Sequence, residues 1–206
     1  MNPATNKGIS HAVRIDDSSL DTIFRTARTQ NNWLDKPVTH HQLVELYDLM
    51  KWGPTTQNSC PIRIVFVTTR GAKERLKPLV FEGNRPKVAA APVTAILGYD
   101  TKFYDWLPRL FPHKDMRFGY LGKPAFAETA AFRNSSLQGA YFIVAARALG
   151  LDCGPMSGFD NAAVDCEFFP DGQVKSNFLC AIGFGDSSKL FDRLPRPTFS
   201  EACRVE

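Results

Sequence analysis

Residues 124–150 constrain the fold more than any other stretch of the chain. The segment PAFAETAAFRNSSLQGAYFIVAARALG is long enough for a helix of about seven turns. It is apolar on nearly every side and rich in small residues: Ala127, Ala130, Ala131, Gly139, Ala140, Ala145 and Ala146. A helix that is apolar all round must be covered all round. The rest of a 206-residue chain can supply that cover, and a second copy supplies it more easily, so a homodimer is expected. Gly150 ends the segment.

The flanking segments supply helices and strands in irregular order. A helix is expected to start after Asp17, Ser18 or Ser19, each a suitable cap, and to run to about Thr29 on the stripe Leu20, Ile23, Phe24 and Ala27. Residues 1–17 read as a loose arm. In THHQLVELYDLMKWG, Thr39 caps a second helix, Leu43, Leu46, Tyr47 and Met50 keep its period, and Gly53 and Pro54 stop it. IRIVFVTT (62–69), PVTAILGY (92–99) and NFLCAIGFG (177–185) read as strands. Short helices are expected at about 72–80 and 161–168, with an aromatic, proline-broken helix or lid at 103–113. No βαβ rhythm and no internal repeat runs through this order. The expected class is therefore α+β, one domain over 1–206, with the long helix buried at its centre.

Several function classes drop out. Composition is 44% hydrophobic and 22% charged, that of an ordinary globular chain. The longest apolar run, AYFIVAA at 140–146, is far too short to cross a bilayer and is ended by Arg147. The opening MNPATNKGIS has no apolar signal core, which points to the cytoplasm. Cys60, Cys153, Cys166, Cys180 and Cys203 form no CxxC pair, and His11, His40, His41 and His113 lack ligand spacing, so neither a disulfide framework nor a metal is expected. The net charge of +4 is scattered, which argues against nucleic acid and leaves room for a small anion. GFGDSS at 183–188 lacks the third glycine of a dinucleotide fingerprint, and no P-loop is present.

Three stretches carry candidate binding chemistry. FRTAR (24–28) sets Arg25 and Arg28 on one helix face around Thr26, and arginine forks match phosphate oxygens. GPTTQNSCPIR (53–63) carries Asn58, whose amide can read a heterocycle edge. GPMSGF (154–159) places glycines around Pro155, where backbone can approach a ligand. Singly, the first reads better as a solvated charged face, the second as loop punctuation, and the third equally well as a turn.

In this order the three resemble the motifs of the nitroreductase family of FMN-dependent oxidoreductases. R-S/T-x-R is similar to Arg25, Thr26 and Arg28; P-S/T-x-x-N is similar to Pro54, Thr55 and Asn58. G-L-x-x-x-P-x-x-G-F is similar to Gly150, Leu151, Pro155, Gly158 and Phe159. I-G-x-G followed by R-L-P is similar to Ile182–Gly185 and Arg193–Pro195, so the likeness spans about residues 20–200. MKWGPT, FRNSS, GPMSGFD, KSN and GDSSKL further resemble the malonic semialdehyde reductase subgroup, the Rut proteins of uracil degradation. The second motif departs from the N-x-Q-P-W of many members: Cys60 and Ile62 stand for the glutamine and tryptophan. Phe191 stands where some members carry a second basic residue beside Arg193.

The resemblance implies a nitroreductase-like fold, a mixed sheet flanked by helices, and FMN reduced by NADH or NADPH in a ping-pong cycle with hydride passing through flavin N5. It implies reduction of malonic semialdehyde (3-oxopropanoate) to 3-hydroxypropanoate. The alternatives are a nitro or quinone reductase of broad specificity and a non-catalytic flavin-binding module. It sets Arg25, Thr26, Arg28 and Arg193 at the phosphate and Pro54, Thr55 and Asn58 at the ring. Pro155 and the N–H groups of Ser157 and Gly158 would meet the flavin edge, in a homodimer with its sites between subunits. No side chain is assigned as catalytic, because the cofactor carries the hydride. A carboxylate substrate needs a cation; Arg109 and Arg117 are candidates, with surface charge the favoured reading of both. Phe103, Tyr104 and Trp106 are candidate pocket walls, with packing favoured, and Cys153, without a placed histidine, is not expected to react.

Overall fold

The computed structural model describes residues 13–206. Of the arm expected over 1–17, residues 1–12 lie outside the described residues, and Asp17 already belongs to a helix. Asp16, one residue before the expected caps, accepts from the Ser19 N–H and opens α1 (Asp17–Leu20). A π-type turn continues the chain only to Arg25, short of the expected Thr29. Thr29 forms a parallel bridge with Cys153 instead, a tertiary pairing that overrides the local helical stripe.

α2 (His40–Met50) opens on a full capping box between Thr39 and Gln42 and buries Leu43, Leu46 and Met50. Then follow β1 (Ile62–Val67), α3 (Arg70–Leu76), α4 (Arg85–Ala90), β2 (Val93–Asp100) and the short α5 (Leu107–Leu110). The second half holds α6 (Pro124–Ala148), β3 (Asp152–Met156), α7 (Asn161–Phe168), β4 (Val174–Gly183) and α8 (Phe199–Ala202).

The four strands form one sheet in the order β1-β2-β4-β3, and every neighbouring pair is antiparallel. This corrects the expected mixed sheet. The helical excursions from β1 to β2 and from β3 to β4 each return at the sheet end they left, so neighbours run opposite. Parallel pairing among the described residues is confined to the Thr29–Cys153 bridge.

β2, one of the two inner strands, is buried along its whole length. Its alternation divides the core: Ala95 and Leu97 pack with Leu46, Met50 and Phe142 on one face, and Ile96 packs with Leu76, Val88 and Val164 on the other. A third cluster, Phe103, Leu107, Tyr120, Ala127 and Ala131, closes one end.

The long helix is not covered as its sequence suggests. Asn134, Ser135 and Gln138 are buried, while Phe126, Phe132, Leu137 and Tyr141 are exposed. The buried polar groups are satisfied: Asn134 Oδ1 accepts from the Thr56 N–H at 2.8 Å, Gln138 Oε1 from the Ile62 N–H at 3.0 Å, and the Ser135 hydroxyl donates to the Gly98 carbonyl at 3.1 Å. The core face of α6 is thus a frame for neighbouring backbone. Among the described residues no helix is long and apolar enough to cross a membrane.

Candidate functional site

One candidate region joins the first and third motifs. The Gln30 N–H donates to the Cys153 carbonyl at 2.9 Å, and a Cβ on Gly154 would stand 2.4 Å from the Gln30 carbonyl oxygen. The two backbones therefore touch, and only glycine permits it. The first residues of GPMSGF (154–159), read equally well as a ligand approach or a turn, belong to the edge strand β3. At Gly158 a Cβ would lie 2.7 Å from Asn84 Nδ2, which donates to the Gly158 carbonyl at 3.0 Å. Gly154 is thus required by backbone, whereas at Gly158 the nearest neighbour is a side chain with room to turn. Pro155 and Ser157 are exposed, and the N–H groups of Ser157 and Gly158 donate to no described group.

Beside this strand, Arg28, Arg147, Arg193 and Arg196 converge on a cavity of about 580 Å³ whose lining includes a single acid, Asp192. Arg193 donates to the carbonyls of Arg25 (2.7 Å) and Ala27 (3.1 Å), and Arg28 donates to the carbonyl of Phe191. Arg147 reaches the Ile23 carbonyl at 3.2 Å, but its Nε–H is buried without a partner among the described residues. A buried donor left unpaired costs about 1–3 kcal/mol. Independently of that donor, four guanidiniums around one carboxylate make a lining that fits a phosphate.

Arg25 does not line this cavity; Asp17 (2.8 Å) and Asp21 (2.7 Å) hold its guanidinium. The Thr26 hydroxyl donates to the Asp21 carbonyl at 2.8 Å. Arg25 meets the region through its carbonyl, which accepts from Arg193, and Thr26 does not line the cavity. Arg147 and Arg196 are not among the sequence candidates. The signal for Arg147 is the one cation inside AYFIVAARA.

The second motif lies apart, and neither of the two cavities described here contains residues of both regions. Its loop, Thr55–Cys60, runs through left-handed backbone at Gln57 (φ 55°), Asn58 (φ 50°) and Cys60 (φ 40°). Each costs on the order of 1 kcal/mol and persists only where the surroundings over-determine it. Here the amides of Asn134 and Gln138 hold Thr56 and Ile62, Thr55 Oγ1 accepts from the Cys60 N–H (3.2 Å), and the Tyr120 hydroxyl donates to Gln57 Oε1 (3.2 Å). The Asn58 amide is tied within the protein: Nδ2 donates to the Leu110 carbonyl at 2.9 Å and Oδ1 accepts from Cys60 Sγ at 3.4 Å.

Asn58 lines a second cavity of about 580 Å³ with Tyr47, Trp52, Phe66, Trp106 and Arg109 among its walls. Cys60 and Ile62 also line it; both are smaller than the glutamine and tryptophan of the motif they vary. Of the proposed walls, Trp106 is in place, whereas Phe103 is buried in the end cluster with Tyr104 packed against it. Arg117 is paired with Asp115 at 2.6 Å, and its hydrogen bonds hold that carboxyl down at about 2. Cys153 is buried beside Cys180, whose own thiol burial pushes up. Next to the loop, Val44, Tyr47 and Trp52 of the α2 region and Leu137 and Tyr141 of α6 are exposed.

A family model described as "Nitroreductase family" matches residues 25–186. A protein of Rhodopseudomonas palustris, provisionally named an NADH dehydrogenase/NAD(P)H nitroreductase, is 59% identical over 191 residues, covering 93% of this chain and 97% of its own length. A Stenotrophomonas maltophilia protein with the same provisional name is 57% identical over 197 residues, covering 96% and 100%. Among solved structures, a nitroreductase family protein from Streptococcus pneumoniae matches with a TM-score of 0.75 at 19% identity, over 92% of this chain and 98% of that one. One from Exiguobacterium sibiricum, provisionally called a nitroreductase and solved in complex with FMN, matches with a TM-score of 0.78 at 17% identity, over 94% and 99%. At such identities the structural likeness shows the fold.

Proposed function

The chain belongs to the nitroreductase family, and on that premise we propose that it is an FMN-dependent NAD(P)H oxidoreductase whose acceptor is malonic semialdehyde. The observation that carries the flavin reading is the four-arginine cavity, together with the unpaired N–H groups of Ser157 and Gly158 that follow the neighbouring strand β3.

Arg28, Arg147, Arg193 and Arg196 would hold the phosphate, with the Arg25 carbonyl positioning the Arg193 fork. The N–H groups of Ser157 and Gly158, flanked by Pro155, would donate to the polar ring edge, where fixed donors stabilise developing negative charge. Bound FMN supplies the two-electron carrier that no side chain offers, loaded by NAD(P)H and emptied by the acceptor. The balance is two electrons and a proton from NAD(P)H, a second proton from solvent, and a carbonyl converted to the alcohol of 3-hydroxypropanoate.

A second copy of the chain is proposed to complete the site, bringing Pro54, Thr55 and Asn58 of one protomer to the arginine cavity of the other. Two features support this: the separation of the motifs within one chain, and the apolar exposure of Tyr47, Trp52, Leu137 and Tyr141. A monomeric mass by light scattering with flavin bound would remove it. Reduction of nitro compounds or quinones is a second reading, favoured by the relatives' names and by the room that Cys60 and Ile62 leave.

The test is an absorption spectrum of the purified protein before and after anaerobic NADPH or NADH. A flavin spectrum that bleaches, and is reoxidised by malonic semialdehyde with parallel-line kinetics, is expected. A bound flavin that stays oxidised points to a binding module, and no flavin after incubation with FMN overturns the reading.

A further inference from the structure

The cavity beside Asn58 has an electrostatic imbalance that the flavin reading leaves unused. Three cations line it, Lys51, Arg63 and Arg109, and no Asp or Glu does. Lys51 is paired with Asp48. Arg63 is paired at 2.6 Å with Asp100, which is almost wholly buried, and donates also to the carbonyls of Cys60 and Ile62. Arg109 has no hydrogen bond or ion pair among the described residues.

Arg109 is nevertheless held in place. Its guanidinium lies 4.6 Å from the ring centroid of Trp106, three residues earlier on the same face. The Arg63 guanidinium is 5.4 Å from the same centroid. Two guanidiniums thus approach one indole and only Arg63 has a carboxylate partner among the described residues, which leaves the Arg109 charge uncompensated at the cavity. The segment is also tied to the second motif, because the Leu110 carbonyl, next in the chain, accepts from Asn58 Nδ2 at 2.9 Å. A free fork at the rim of a mainly apolar cavity suits a planar oxyanion on a short carbon chain.

We propose that Arg109, held over Trp106, is the specificity-determining residue that binds the carboxylate of the acceptor and so selects short ω-oxo acids over uncharged carbonyls. The assignment rests on the reading that cofactor and acceptor meet at the Asn58 cavity. Arg117, fully engaged by Asp115 and outside both cavities, is the matched control.

The experiment uses the FMN-loaded enzyme and its Arg109→Met, Arg109→Lys and Arg117→Met variants. Each is assayed with malonic semialdehyde and with an uncharged quinone, and malonate binding is measured by calorimetry. Losing one charge-assisted contact should lower the ratio of kcat/KM for the two acceptors on the order of 10- to 100-fold in Arg109→Met. The change should fall on KM, malonate binding should weaken in parallel, and lysine should restore part of it. Arg117→Met should leave the ratio where it was. An unchanged ratio in Arg109→Met, or a rise in KM for NAD(P)H in place of the acceptor, overturns the proposal while quinone reduction keeps the flavin reading intact. A wild-type protein that binds no flavin removes the premise itself.

Discussion

The arginine cavity and the Asn58 cavity are similar in size, about 580 Å³ each, and differ in what holds their walls. Around Asn58 the loop backbone is left-handed at three residues, and buried amides on α6 hold it. Around Arg193 the contacts are exposed guanidiniums reaching carbonyls of segments distant in sequence. The first wall is fixed by the core, so its side chains are presented ready-made. The second is laced together at the surface, where each contact contributes little, and on the proposed reading a bound phosphate would supply the balance.

The largest effect expected is at the cation that anchors the Asn58 side. Arg63→Met leaves the buried Asp100 carboxylate with only the Lys102 N–H and Gln173 Nε2 as donors. It should cost about 3 kcal/mol in denaturant unfolding; a loss below about 1 kcal/mol would mean the wall is less dependent on the core than described. Gly154→Ala drives a methyl into the Gln30 carbonyl oxygen, which as backbone has little room to yield. We expect about 1–3 kcal/mol of destabilisation, read by thermal unfolding, together with weaker FMN retention.

Two variants then separate the regions directly. Gln138→Leu orphans the Ile62 N–H and should cost about 1–2 kcal/mol in stability. Arg193→Ala should change stability by less than about 1 kcal/mol yet raise the FMN dissociation constant roughly tenfold. Equal losses of stability in the pair would erase the distinction.

The smallest effect concerns the end of the sheet nearest α6. Burial, and then the Glu128 carboxylate that its hydroxyl meets at 3.2 Å, push Tyr99 up to about 12. Below about pH 10 both folded and unfolded states keep this proton, so it has no pH effect. Between about pH 10 and 12 the unfolded chain ionises first and stability falls. Tyr99→Phe should flatten the stability profile in that window, measured by denaturant titration against wild type.

Much of the frame was legible from local pattern. The capping box at Thr39, the β-branched run of β1 and the apolar β2 announce themselves within ten residues. β3 did not, because Gly154 and Pro155 read as a turn; they are tolerated because β3 is an edge strand. The length of α6 was legible and its orientation was not, since hydrophobic pattern assumes polar residues face water. Asn134 and Gln138 break that rule by answering backbone donors from residues 78 and 76 positions away. The same separation hides the Arg63–Asp100 pair and the gathering of Arg147 with Arg28 and Arg193, which no spacing in one sequence encodes.

The lacing between residues 25–28 and 191–193 also orders events in time. Its hydrogen bonds join groups 163 to 168 positions apart, so they close only after every strand of the sheet has left the ribosome. The sheet and the Asn58 loop draw on residues synthesised earlier. If the arginine cavity holds the cofactor as proposed, a chain caught shortly before that closure would be colourless, and cofactor uptake would be a late, post-synthetic event.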